Sequence, residues 1–335
     1  MRATTDLPDK HSFARFRGDF GQRFILTVDT EEEFDWDAPF AREGHGLDHV
    51  PQLARFQAFC ENLGVTPLYL VDYPIATSPL AAEILRQPLA EGKAEIGVQL
   101  HPWVNPPFHE DVNDFNSFAG NLPPELEREK LFILRDTIAR NFGCAPVAYR
   151  AGRYGLGPQT GQFLREAEIP VDTSVRARFD YSASGGRNYR DHPLRPYWLD
   201  GRDRQLLELP LTTVFTGSLG RIGRSLYPSL WRLPQLRGLL AHLHMMERIP
   251  LTPEGVGVEE AIRAADAALE ADLPVIVLSF HSPSLSVGHT PYVQTEAERD
   301  AIYSWWQAII NHLKAGGAQS TTIRETLDAV VRQAS

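Results

Sequence analysis

The chain has 335 residues, 43% of them hydrophobic, enough apolar material for two ordinary domains or one large barrel. A formal charge of −10, without any dense Lys/Arg block, argues against a phosphate track and so against extended nucleic acid as a partner. No apolar run reaches the roughly 20 residues of a membrane helix, and the polar start MRATTDLPDKHSFARFRGDF lacks the apolar centre of a secretory signal; the expectation is a soluble, cytoplasmic protein without a membrane span.

Residues 1–22 read as an N-terminal extension, and the first strand follows it. In FILTVDTEEE (Phe24 to Glu33) an apolar, β-branched run stops at Asp29 and three glutamates follow. Residues two apart share a strand face, so Asp29 and Glu31 point at one centre, as a carboxylate base and a carboxylate metal ligand would. Glu32 is a candidate substrate contact, although an acidic loop or a helix cap would use the same residues.

A helical period over 48–63 ends at Gly64, VTPLYLV reads as a strand, 80–90 as a helix and 95–100 as a strand running into QLHPWVNPP. Gln99 and His101 lie two apart at that strand's end, and Asn105 follows within a proline-stiffened exit. Trp103 suits a pocket wall or a core position. A long amphipathic helix is expected over 124–142 and a strand over 146–150. Arg150 ends that strand and enters AGRYGLG, where it can orient or neutralise a carboxylate. A dinucleotide reading of these glycines lacks the required early βαβ unit and ribose-binding acid.

Pro158 is placed at the start of a helix reaching about residue 168, before a strand over 170–174 that carries Asp172 and Ser174. The regular beat lapses over 176–205 and again over 216–228, giving an insertion at about 176–228, within which the tyrosines and arginines from Tyr181 to Arg204 suit either a sugar-binding rim or a solvated insertion. A strand over 206–212, helices over 230–247 and 258–271, and a strand over 274–280 delivering His281 complete the motif-bearing part. His242 and His244, two apart in the first of those helices, face different directions. One more helix (296–314), a short strand near Ser320 and a final helix close the chain.

An aspartate hydrogen-bonded to one imidazole nitrogen raises the ring's pKa, so Asp172 is expected to make His281 a general acid. No Gly-x-Ser-x-Gly elbow is present, which weakens a serine hydrolase reading; Ser282 is kept as a substrate contact. The two cysteines, Cys60 and Cys144, have neither zinc-knuckle nor disulfide spacing and read as free thiols. Strands alternating with helices imply a parallel α/β architecture. Polar residues at five separate strand ends favour a barrel mouth over the switch point of an open sheet.

Taken in order from Thr27 to His281, TVDTE, QLHPWVN, RAGRYG, PVDTS and SFHSPS resemble the motifs of the polysaccharide deacetylases, the NodB-type carbohydrate esterases of family 4, and most nearly the WalW-like subset. The resemblance implies a distorted (β/α)7-8 barrel over 23–332 as a single domain, and hydrolytic deacetylation of an N- or O-acetylated sugar or oligosaccharide. It also implies a divalent cation, zinc or cobalt or manganese. By residue it implies Asp29 as base, Glu31 as metal carboxylate, Arg150 holding the base, the Tyr154 backbone N–H at the oxyanion, and Asp172 tuning His281. The family's second motif has two histidines four apart. Anchoring on His101 puts Asn105 at the second place, whereas anchoring on EIG puts Gln99 and Trp103 there. Either register loses an imidazole, and amide oxygens are poorer zinc ligands. A metal-independent hydrolase of cyclic ureide C–N bonds and a non-catalytic carbohydrate-binding protein are the alternatives.

Overall fold

The computed structural model describes residues 3–201, 203–217 and 247–331. Strands β1 (Arg23–Thr30), β2 (Leu68–Val71), β3 (Glu95–Leu100), β4 (Ala148–Ala151), β5 (Val171–Asp172), β6 (Tyr197–Trp198), β7 (Leu207–Glu208) and β10 (Val275–His281) form one sheet in the order β10-β1-β2-β3-β4-β5-β7-β6. All neighbours are parallel except β6 and β7, and β11 (Gln319–Ser320) pairs with the start of β1. A separate antiparallel pair joins β8 (Thr213–Thr216) to β9 (Glu247–Pro250). The sheet curls into a single-domain half-barrel.

Between β7 and β10 the barrel has no ladder, because Pro210 lacks an N–H to donate and interrupts the strand expected over 206–212. Thr212 and Val277 span the seam instead, the Thr212 N–H donating to the Val277 carbonyl at 3.2 Å and the Val277 N–H to Thr212 Oγ1 at 2.9 Å, while the Leu209 and Leu211 N–H groups continue the β5 side, donating to the Asp172 and Val175 carbonyls at 2.8 and 3.0 Å.

Period-two alternation sorts the strand residues into two cores. Ile25, Leu68, Leu70, Ala148, Val171, Val275 and Val277 fill the barrel interior, and Phe20, Trp198 and Val330 pack onto the same cluster. Phe24, Leu26, Val28, Tyr69, Val98 and Tyr149 face outward, under the helices. The long helix α4 (Pro124–Phe142) buries Leu131, Leu134, Ile138 and Phe142 at three- and four-residue spacing and ends at left-handed Gly143.

Several expected elements shift. The helix expected from Pro158 to about 168 runs only over Thr160–Glu166, with Glu168 in the left-handed region. The β8–β9 pair was not expected as strand, overlapping the expected loop at Thr216 and the expected helix at Glu247, and β6 lies inside the expected insertion. Most of the helix expected over 230–247, with His242 and His244, lies outside the described residues. Cys60 and Cys144 are both free. Among the described residues no helix is long and apolar enough to cross a membrane.

Candidate active site

Strand register assembles the centre. Asp29 on β1 is paired with His281 on β10, and Gln99 on β3 with Arg150 on β4. Because Ile25, Ala148 and Val277 face the barrel interior, alternation turns Asp29, Arg150 and His281 inward too, at the carboxyl ends of their strands. Together with Glu31, Gln99 and His101 they line a cavity of about 290 Å3. Its walls are aromatic: Phe34, Trp36, Phe40, Trp103, Tyr154 and Tyr181.

The Arg150 guanidinium donates to Asp29 Oδ1, to Thr27 Oγ1 at 3.1 Å, and to the Thr173 carbonyl and hydroxyl at 3.0 and 3.1 Å. The Asp29 carboxylate is thereby fixed with its other oxygen, Oδ2, 3.8 Å from His281 Nε2. Glu254, in the turn after β9, takes the opposite side of that ring. Its Oε2 lies 2.7 Å from His281 Nδ1, and its Oε1 accepts from the His281 backbone N–H at 3.1 Å and from Ser284 at 2.6 Å.

Burial alone would lower the His281 pKa, but Glu254, then Glu31 and Asp29, outweigh it and raise the ring to about 10. The imidazolium is therefore the resting form at neutral pH. Its contribution to stability is complete below the ordinary value of 6.5 and is lost as pH rises toward about 10. Replacing Glu254 with glutamine is expected to move the alkaline limb of a kcat/KM profile from near 10 down toward 6.5. An unmoved limb would show that another group sets it.

Asp172, expected to play the part of Glu254, does not reach His281. Strand parity gives the reason: Val171 occupies the barrel interior, so Asp172 turns outward on the face of Tyr149, its register partner. There it accepts from Ser174 Oγ at 2.5 Å and faces Glu208. Burial, and next Asp172 itself, push Glu208 well above the usual carboxylate range, so this pair retains a proton.

At the second corner His101 Nδ1 is 2.8 Å from Glu32 Oε2, and the Trp103 indole N–H donates to Glu32 Oε1 at 2.7 Å. Glu32 is fully buried behind His101 rather than in the pocket. A carboxylate on Nδ1 fixes the tautomer and leaves the Nε2 lone pair facing the cavity, the usual outer partner of a metal-bound histidine. Around Nε2 stand Glu31 Oε2 at 3.5 Å and the Gln99 amide nitrogen at 3.2 Å, the latter also 2.8 Å from Glu31 Oε2. Burial pushes the Glu31 carboxyl up to about 8; His281 and His101 oppose the shift, while Glu32 and Asp29 add to it.

These three side chains fit a divalent cation. Their polar atoms, 2.8 to 3.5 Å apart, form a triangle of the size made by donors about 2.1 Å from one ion. Gln99 Oε1 is buried without a partner, and turning the amide half over would put that oxygen where the nitrogen stands. Glu32, Asp72 and His101 also converge, but Asp72 caps Ile75 and accepts the Glu32 N–H at 2.6 Å, away from the cavity.

Two other expected site residues sit outside the pocket. Asn105 is fully buried, its amide donating to the Pro106 and Lys130 carbonyls at 2.7 and 3.0 Å. Lys130 in turn donates to the carbonyls of Pro102, Asn105 and Pro107, so Asn105 belongs to the clamp on the loop after His101. Ser282, also fully buried, accepts from the Glu31 N–H at 3.3 Å and lies 2.8 Å from His49 Nε2, while His49 Nδ1 is 2.7 Å from Glu33. The order is that of a Ser-His-Glu triad, yet its hydroxyl has no access to the cavity and instead positions Glu31.

After β4, Arg153 and Tyr154 are consecutive non-glycine residues at φ 52° and 60°, and both line the cavity. Such backbone costs about 1–3 kcal/mol per residue and concentrates at functional sites. A Cβ on Gly152 would stand 2.5 Å from His101 Cδ2 and 2.6 Å from the Leu100 carbonyl. Gly152→Ala is therefore expected to cost about 1–3 kcal/mol in urea unfolding and to displace His101. A variant as stable as the parent would refute this tight packing.

No family model matches the sequence, and no curated protein does. Solved structures do. One is a Parabacteroides distasonis protein described as a glycoside hydrolase/deacetylase, with 12% identity, TM-score 0.58, and 96% of this chain and 72% of that one covered. Another is described as a polysaccharide deacetylase of Pseudomonas aeruginosa, with 13% identity, TM-score 0.51, and 93% and 91% covered. The chain has the polysaccharide deacetylase fold. The 4-alpha-glucanotransferase of Thermococcus litoralis also superposes, at 16% identity and TM-score 0.51 over 92% of this chain, which spans 40% of that enzyme. At these identities the likeness is one of fold.

Proposed function

We propose that this pocket hydrolyses an acetyl group from a sugar, most simply an N-acetyl group, releasing acetate and a free amine. The observation that carries the reading is the side-by-side pair at its floor: Asp29 anchored by Arg150, and His281 anchored by Glu254, 3.8 Å apart on adjacent strands. Asp29 takes the proton of the attacking water. The His281 imidazolium gives its Nε2 proton to the departing nitrogen, and Glu254 compensates the ring's charge until then. The Tyr154 backbone N–H is assigned to the oxygen that becomes negative. Trp36, edge-on to His281 with ring centres 5.1 Å apart, and Trp103, stacked on His101 at 4.3 Å, form apolar walls for a sugar ring.

Glu31, His101 Nε2 and Gln99 would hold a divalent metal, zinc or cobalt or manganese. When bound, such an ion polarises the acyl carbonyl and lowers the pKa of its water. A second reading, a metal-independent C–N hydrolase of the cyclic ureide type, is favoured by the Gln99 amide, which already bonds both Glu31 and His101. The motif resemblance supports the WalW-like subset as the nearest group of deacetylases.

Incubation with N-acetylated oligosaccharides, with and without added zinc, cobalt or manganese, tests the proposal. Acetate and free amine in equal amounts are expected. Activity retained after chelation selects the metal-independent reading, and binding of the sugars without acetate release would overturn hydrolysis altogether.

A further inference from the structure

Arg176 supplies a positive charge that the proposed hydrolysis does not use. It follows β5 at the barrel seam, where its backbone bridges to Leu211, and it lines the same cavity as Asp29 and His281. The guanidinium lies 4.1 Å from the Phe179 ring centre and 5.1 Å from that of Tyr154, and donates to the Tyr181 hydroxyl at 2.9 Å. Among the described residues it makes no ion pair.

The other charges at the pocket are occupied. Arg150 holds Asp29, His281 holds Glu254, Glu31 accepts from Gln99, and Arg153 reaches Ser117 and lies 3.9 Å from Asp114. A guanidinium has five N–H donors in a planar fork, and among the described residues only the bond to Tyr181 uses one of them. Ring stacking fixes its plane beforehand, which reduces the ordering cost of a two-pronged contact. That fork matches a carboxylate, whose two oxygens can each accept one of two parallel N–H donors.

We propose that Arg176 is the specificity residue of this pocket and binds a carboxylate on the substrate, so that the preferred sugar is an acidic one, an N-acetylhexosamine joined to a uronate. The acetylated half of this assignment rests on the deacetylase reading, whereas the carboxylate contact does not.

Calorimetric titration can use two probes: an N-acetylated tetrasaccharide alternating with glucuronate, and its carboxyl-reduced counterpart with glucose in place of glucuronate. The wild-type protein is expected to bind the acid about tenfold tighter or better, a typical effect for a charge-assisted bidentate contact. Arg176→Gln should abolish that preference, so that the acid and the reduced sugar bind with equal affinity. Arg176→Lys should keep part of it, and in turnover the loss should appear in KM rather than kcat. Equal binding of the two probes, no binding of either, or a preference that survives Arg176→Gln would overturn the assignment. Acid preference without acetate release leaves the Arg176 contact standing and sinks the deacetylase reading; acetate release from both sugars without acid preference does the reverse.

Discussion

Replacing Asp29 with asparagine is expected to lower kcat by roughly a thousandfold with KM little changed, because the variant keeps the shape of the side chain and loses its ability to take a proton. The side chain is almost fully buried and its Oδ1 is committed to Arg150, so Oδ2 is the oxygen left for the reacting water. Steady-state kinetics on an N-acetylated oligosaccharide, with circular dichroism to confirm folding, checks this. Turnover within about threefold of the parent would remove Asp29 from the role of base and point to Glu31, another carboxylate lining the pocket.

Replacing Arg150 with leucine is expected to destabilise the protein by about 3–5 kcal/mol, because it leaves a buried carboxylate without its counter-charge. Both partners are about 2% exposed or less, so solvent compensates little of the loss. Thr27 and Thr173 lose their guanidinium contacts in the same step. Urea unfolding measures the effect. The double variant Asp29→Leu/Arg150→Leu is expected to regain part of it, since two apolar groups leave no charge unpaired. A single variant less than about 1 kcal/mol below the parent would show that the pair does not hold the barrel mouth together.

Much of this centre was legible in the strands. Where an apolar run buried on both faces ends in a polar residue, as at Asp29, Arg150 and His281, alternation predicts the inward direction, and the Asp29/Glu31 and Gln99/His101 spacings predict shared faces. Asp172 shows where that reasoning fails. Its strand is two residues long, too short for sequence alone to establish which of Val171 and Asp172 faces inward. Glu254 was missed for a different reason: it sits in TPEG, after a strand whose own residues follow an irregular stretch, and its pairing with His281 depends on the β8–β9 hairpin crossing the barrel seam. Asn105 and Ser282 lie near the right motifs but in the supporting layer, and only the Lys130 and His49 contacts separate such residues from those that line the cavity. Arg176 opens the irregular stretch read as loop or insertion, just before the Tyr181–Arg204 segment considered for a rim, and its stacking on Phe179 and Tyr154 is a tertiary contact that no periodicity announces.

The most direct test of the chemistry follows the oxygen of the attacking water. With an N-acetylated oligosaccharide blocked at its reducing end in oxygen-18 water, mass spectrometry should find one labelled oxygen in the released acetate, no new labelled anomeric hydroxyl, and roughly a thousandfold less labelled acetate per unit time from the Asp29→Asn variant. A newly labelled anomeric hydroxyl, or labelled acetate formed by the variant at the parent's rate, would contradict a deacetylase built on Asp29 and His281.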